Sequence, residues 1–263
     1  MPEGHTLHRL ARLHQRRFGR APVIVSSPQG RFGDAVTVSG QVLRKADAWG
    51  KHLFHHYAGG AVVHIHLGLY GTFTETSLPM AAPVGQVRMR MIGTEYGTDL
   101  RGPTVCELID EAAVDDVVAR LGPDPLRADA DPTLAWGRIS KSRRSIGAML
   151  MDQSVIAGVG NVYRSEVLYR LGIEPHRPGT QLSESEFADL WGDLVALMKV
   201  GVRRGKIVVI RPEDDHGAPS YGPGRPRTYV YRRAGEACRV CGDTVRTEQM
   251  EGRNLFWCPR CQT

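Results

Sequence analysis

Four of the five cysteines of this 263-residue chain fall in two close pairs near its C-terminus. They are Cys238-x2-Cys241 and Cys258-x2-Cys261, with sixteen residues between the pairs. No other feature restricts the fold so tightly. Each pair makes a tight knuckle that aims two thiolates at one point, and two knuckles complete a closed tetrahedral site for one zinc ion. A closed site keeps no open coordination position, so the zinc is expected to be structural. Free thiols would not require this spacing, and a disulfide framework suits smaller secreted chains. A reducing, cytoplasmic compartment is expected. Cys106, alone in TVCELI, is expected to be a small buried apolar residue.

Charge adds a second constraint. The formal net charge is +6. Residues 1–126 hold 13 Lys+Arg against 12 Asp+Glu, and residues 127–263 hold 21 against 16. A basic second half favours a polyanionic partner, although many basic proteins are merely soluble. No apolar run approaches the roughly 18 residues of a membrane span, so no membrane partner is expected. The opening MPEG is followed by no charged segment and apolar run, which argues against a signal peptide.

Along the chain, residues 4–18 place Leu7, Leu10, Ala11 and His14 at helical spacing, with Arg9, Arg12, Arg16 and Arg17 largely off that face. An amphipathic helix is expected there, starting just after Glu3, where an acid suits the helix dipole. From 22 to about 102 come short β-rich runs broken by Gly and Pro, among them PVIVSS, DAVTVSGQVLRKA, HLFHHY and QVRMRMIG. Alternation is clear in Val87-Met89-Met91 and Val62-His64-His66. Many short strands suggest a β-sandwich or a small barrel. A strand end and a helix follow in ELIDEAAVDDVVARL, and Gly122-Pro123-Asp124-Pro125 breaks the chain. Helical runs come next: DPTLAWGRIS, RRSIGAMLMDQS, NVYRSEVLYRLG and SESEFADLWGDLVALMKVGVRRG. Ser183 with Glu186 forms a capping box for the last. Residues 211–228 are rich in Pro and Gly and are expected to be a loop.

Several local patterns carry chemistry. Arg225, Arg227, Arg232, Arg233, Arg239, Arg246, Arg253 and Arg260 surround the cysteine pairs without a lysine, which suits phosphate contact. In DQSVIAGVGNVYRSE a helix is expected to end near Ser154, with a double turn at Gly158 and Gly160 and a new helix from Asn161. The free N–H groups of that helix N-terminus make a phosphate seat, to which Asn161 could add a donor. Lys51, in WGKHLF, enters a strand and by itself reads as a surface lysine. Histidines 52, 55, 56, 64 and 66 raise a second metal site, which the absence of a nearby carboxylate or cysteine pattern disfavours.

Together, MPEG, GKHL, HLGLYG, GPDPL, DQSVIAGVGNVYRSE and GRNLFWCPRCQ stand in the order seen in the formamidopyrimidine-DNA glycosylase and endonuclease VIII family. The chain resembles that family from residue 2 to 262. The resemblance implies an α+β fold: an N-terminal helix on a two-layered β-sandwich, a helix–two-turn–helix domain, and a C-terminal four-cysteine zinc-finger hairpin. The corresponding boundaries are 1–122, 123–228 and 229–263. The implied partner is damaged double-stranded DNA bound in a cleft, with single-stranded DNA left open, and the implied state is a nucleoid-associated monomer.

Carried over residue by residue, Pro2 would be the nucleophile once Met1 is removed. Its secondary amine, with a free α-amino pKa of roughly 8, has a usable neutral fraction near neutrality. It would attack sugar C1′, expel the damaged base and leave an iminium. Glu3 would be the acid, a role that wants a carboxyl pKa raised by burial. Lys51 matches the strand lysine assigned to β-elimination and phosphate binding. Asn161 and Arg253 match the pair that grips the phosphates flanking the lesion, and Arg253 is also assigned to δ-elimination. Arg120 matches a DNA-contacting arginine of the endonuclease VIII branch. Leu69 and Tyr70 match the wedge that fills the hole left by the flipped nucleotide.

The Leu-Tyr wedge, and the lack of an Arg-Phe pair in Asp99-Leu100-Arg101-Gly102-Pro103, favour the endonuclease VIII branch and oxidised pyrimidines. Gly68, where a glutamine usually stands, and His5, where a proline is common, depart from the pattern. Two other readings stay open: an oxidised-purine glycosylase, and a zinc-stapled protein that binds damaged DNA without cutting it.

Overall fold

The computed structural model describes residues 2–215 and 228–263. Met1, Arg225, Arg227 and most of the loop expected over 211–228 lie outside the described residues. The chain divides into two compact units, Met1–Arg120 and Leu121–Thr263.

The first unit opens with helix α1, Gly4–Phe18, which buries Leu7, Ala11, His14 and Phe18 along one face and leaves Arg9, Arg12 and Arg16 exposed. Leu10 is only half-buried. Glu3 is the N-cap residue, but its side chain makes no capping bond to the helix.

Eight antiparallel strands follow: β1 Pro22–Ser26, β2 Gln41–Trp49, β3 His52–Tyr57, β4 Val62–His66, β5 Thr72–Ser77, β6 Met89–Ile92, β7 Tyr96–Arg101 and β8 Val105–Ile109. Their order is β5-β7-β6-β1-β2-β3-β4-β8. β1 is the corner of a sandwich. Pro22 and Val23 pair with β2, and Ile24 to Ser26 pair with β6, so one strand serves both layers. Leu43, Leu53, Ile65, Met89, Met91 and Leu100 fill the core between the layers with the apolar face of α1. Cys106 lies buried on β8 at its edge, as a small apolar residue.

Two local expectations fail in this unit. DAVTV is not strand: Ala35–Val38 forms a short helix (α2), because Phe32, Ala35 and Val38 recur at three-residue spacing and are all buried. Along β4 alternation is lost, and Val62, Val63, His64 and Ile65 are all buried. The outer face of that layer is covered by helix α3, Glu111–Ala119, whose Val114 packs on Phe54 and Val62. A strand covered on both sides has no solvent face to alternate with.

The second unit holds helices α4 Pro132–Ile139, α5 Ile146–Met149, α6 Asn161–Arg170 and α7 Glu184–Arg204. Caps set their ends. Asp131 accepts from the Thr133 N–H, Ser145 from that of Ala148, and Ser183 with Glu186 completes the expected capping box. Gly205, at φ 71°, closes α7. α5 is one turn long and stops well before Ser154. Asp152 takes over there: its Oδ1 accepts from both the N–H and the hydroxyl of Ser154, a local turn that competes with helix.

The C-terminal hairpin pairs β9, Arg246–Met250, with β10, Arg253–Trp257. Its turn is Glu251-Gly252, both at positive φ (54° and 65°), as a two-residue hairpin loop requires. Cys238, Cys258, Tyr169, Tyr229 and Phe256 share one core with α6 and α7.

Candidate active site and metal centre

The four cysteine sulfurs lie within 4.8 Å of one another, with Cys241–Cys258 at 3.4 Å and Cys238–Cys261 at 3.8 Å. Zinc–sulfur bonds of roughly 2.3 Å at tetrahedral angles put sulfurs about 3.8 Å apart, so the residues fit the ion. Tyr169 of α6 brings its hydroxyl to 3.0 Å from Cys238 Sγ and ties the site to the helical core. Among the described residues, no other group of three or more His, Cys, Asp or Glu converges in this way.

Polar staples hold the hairpin against α6. Glu166 is fully buried and accepts from three successive backbone N–H groups, Tyr229 (2.7 Å), Val230 (3.0 Å) and Tyr231 (2.8 Å). Burial raises its pKa, against the opposing pull of those three donors. The Tyr229 hydroxyl accepts from the Arg211 N–H at 2.9 Å and donates to Asp214. Asn161, the first residue of α6, is buried; its Nδ2 donates to the Asn254 carbonyl at 2.8 Å, and its Oδ1 accepts from Arg164. The Asn161 amide donor predicted for phosphate therefore points at β10, next to Arg253. Arg253 is exposed and donates to the carbonyl of Gly252 at 2.9 Å. The turn before α6 is clamped by Gln153, which donates to the carbonyls of Met151 and Val159 and accepts from Gly158 N–H. Gly158 alone of the two predicted turn glycines is left-handed, at φ 87°.

In the first unit Pro2 is half-buried and Glu3 is 0% exposed at the start of α1. His5 and His8 are buried beside them, and burial lowers the pKa of His5 to about 4. Lys51 does not enter a strand. It stands with Gly50 (φ 58°) in the two-residue turn between Trp49 and His52, which pair across β2 and β3. Leu69 and Tyr70 are 41% and 84% exposed on the turn after β4. Gly68 holds that turn at φ 64°, and a Cβ there would sit 2.4 Å from Thr104 Cγ2. The absence of a glutamine at 68 therefore has a steric and conformational cause in this chain. Arg120, just past α3, is exposed and donates through Nε to the Asp116 carbonyl at 3.1 Å. Its charge and that of Lys51 both reach His52. Asp99 to Arg101 are strand, not loop: Asp99 accepts two bonds from Arg90 at 2.7 and 2.9 Å.

Sequence reading missed the polar chain beside Lys51. His52 Nδ1 lies 2.8 Å from His64 Nε2, and His64 Nδ1 lies 2.9 Å from Glu107 Oε1. The signal was present as His52, His64 and His66, but the carboxylate comes from β8, forty-three residues beyond His64 in sequence.

Residues 1–102 match the formamidopyrimidine-DNA glycosylase N-terminal domain, residues 121–212 its H2TH domain, and residues 235–263 the zinc finger found in FPG and IleRS. The chain belongs to the formamidopyrimidine-DNA glycosylase and endonuclease VIII family of DNA-repair glycosylases, with one structural zinc site. It is 71% identical, over the whole of both chains, to the proteins named Endonuclease 8 1 of Mycobacterium tuberculosis and Mycobacterium bovis. It is 32% identical to the formamidopyrimidine-DNA glycosylase of Geobacillus kaustophilus, over 92% of this chain and 89% of that one. The Lactococcus lactis Fpg, solved in complex with DNA containing an abasic site, shares the fold at a TM-score of 0.81 and 22% identity, with 99% of each chain covered. Among the described residues no helix is long and apolar enough to cross a membrane.

Proposed function

We propose that this protein is a bifunctional DNA glycosylase and AP lyase that excises oxidised pyrimidines from duplex DNA and nicks the abasic strand by β,δ-elimination. The observation that carries the reading is Pro2 set directly before a fully buried carboxylate, Glu3, at the start of α1. With Met1 removed, the Pro2 amine attacks C1′ as the bond from C1′ to the base breaks, and loss of the ring oxygen from C1′ leaves an iminium. Glu3 supplies a proton to the sugar as the ring opens, and its burial favours the protonated form that this needs. Lys51 serves β-elimination, Arg253 δ-elimination, and Asn161 with Arg253 the phosphates beside the lesion. Arg120 contacts the strand. Leu69 and Tyr70, both exposed on one turn, fill the gap left by the flipped nucleotide. The functional parts on this reading are 1–122, 123–228 and 229–263, acting as a monomer on DNA in the nucleoid.

Identity across the full length with proteins named Endonuclease 8 1 supports the pyrimidine branch. The 32% relation to a formamidopyrimidine-DNA glycosylase supports an oxidised-purine specificity as the second reading. Borohydride should trap a covalent adduct between the protein and abasic or thymine-glycol DNA. Pro2→Gly combined with Glu3→Gln should abolish it, and the purified protein should have the mass of a chain that begins at Pro2. Wild-type protein that cuts abasic DNA but never traps would rule out the Schiff base. Failure to cut at all would leave a damage-binding protein. Faster excision of formamidopyrimidines than of thymine glycol would move the specificity to purines.

A further inference from the structure

The strands flanking the Lys51 turn carry imidazoles that the reading above leaves unused. His52 of β3 stands opposite His66 of β4, and His64 stands opposite Glu107 of β8. Burial lowers the pKa of His52 to about 3 and also lowers those of His64 and His66, so all three are neutral near pH 7. Their hydrogen bonds then fix their tautomers. His64 donates from Nδ1 to Glu107 Oε1 at 2.9 Å and keeps a lone pair on Nε2. His52, 2.8 Å away, must donate to that nitrogen from Nδ1, which leaves its own lone pair on Nε2.

His66 is fixed in the opposite sense. Its Nδ1 accepts from the backbone N–H of Gly68 at 3.2 Å, so its proton sits on Nε2. The His52 and His66 ring centroids are 5.0 Å apart, both rings are half-buried, and neither Nε2 has a protein hydrogen-bond partner among the described residues. An accepting nitrogen beside a donating one matches a hydroxyl, which both gives and takes a hydrogen bond. A phosphodiester oxygen only accepts and is better served by Lys51 and Arg120, whose charges reach His52.

We infer that His52 and His66 form a hydroxyl-binding pair beside Lys51, with His64 and Glu107 as positioning residues that fix the tautomer of His52. The hydroxyl is one that the deoxyribose gains when its ring opens, or that of the water that hydrolyses the iminium. The inference rests on the lyase reading for its ligand but not for its geometry.

Nitrogen-15 NMR of histidine-labelled protein should show His52 as the Nδ1–H tautomer and His66 as the Nε2–H tautomer. In His64→Phe, His52 should shift toward Nε2–H. The opposite assignment in the wild type would overturn the inference without any DNA. Binding then separates the two sources of the hydroxyl. A borohydride-reduced abasic site bears hydroxyls at C1′ and C4′, and a tetrahydrofuran analogue bears neither. If the sugar supplies the hydroxyl, wild-type protein binds the reduced site about tenfold more tightly. His52→Phe and His64→Phe lose that preference, and His52→Gln, whose amide oxygen still accepts, keeps most of it. If water supplies it, these affinities stay put and the iminium, sampled by borohydride quenching, decays about tenfold more slowly in His52→Phe. A His52→Phe protein unchanged in both, or equally weakened on undamaged duplex, overturns the pair. A wild type that never traps would sink the lyase reading while leaving the tautomers measurable.

Discussion

Residues 1–120 are held by apolar burial between two strand layers, whereas the C-terminal part of residues 121–263 is held by staples that join distant stretches of chain. In the sandwich the buried polar pair is neutral: His14 Nδ1 and His55 Nε2 lie 3.0 Å apart, with their outer nitrogens unsatisfied. Around the hairpin the buried polar groups are a carboxylate, four cysteines and the Arg170–Asp193 pair, bonded twice at 2.7 Å. Burial of apolar area is spread over many residues and tolerates local damage. A staple concentrates its effect in a few groups and fails when one of them is lost.

The largest test removes the metal. Structural zinc contributes roughly 10–16 kcal/mol in finger-sized sites. Chelation or Cys258→Ser should therefore unfold the hairpin, leave amide-exchange protection of β2–β4 intact, and cut affinity for an abasic duplex. Unchanged binding would show that the hairpin is not a major DNA contact, and simultaneous loss of the sandwich would erase the contrast between the units. Next comes the apolar core. Leu53→Ala, at a fully buried position, should cost about 2–5 kcal/mol in urea denaturation while zinc retention is unaffected.

Acid should act on the sandwich through His14 and His55, whose pKa values burial pushes down, to about 3 for His14. Their unfolded forms take up protons below about 6.5, and the folded forms do not. Stability is therefore fully present above pH 6.5 and falls as pH drops toward 3, by about 1.4 kcal/mol per pH unit for each histidine. His14→Leu with His55→Leu should flatten that slope, as read from exchange protection of β2–β4 between pH 7 and 5. An unaltered slope would place the acid sensitivity elsewhere. The smallest effect belongs to the α7 cap: Ser183→Ala should cost about 1 kcal/mol in thermal denaturation.

What could be read without coordinates was local. Cysteine spacing, the Ser183–Glu186 box and the apolar face of α1 each reside within a few turns of chain, and each formed as expected. The misreadings came from context. Ala35–Val38 is short enough for packing of Phe32 to override its β-rich composition, and β4 lost its alternation to α3, an element distant in sequence. For the site, the sequence named the residues but not their settings: the hairpin turn under Lys51, the backbone geometry at Gly68, and the bond of Asn161 to β10. The Glu107–His64–His52 chain and the Glu166 staple depend on pairings across 43 and 63 residues, which no short-range pattern encodes.

That last staple bears on how the protein can vary. Arg211 and Asp214 meet the Tyr229 hydroxyl, and Glu166 gathers the three amides from Tyr229 to Tyr231. Both ends of the span between them are thus docked on the same tyrosine and helix, whatever lies in between. Residues 216–227 can be exchanged or lengthened while the hairpin keeps its register on α6. Evolution and engineering alike have a twelve-residue insertion point here that is insulated from the metal centre.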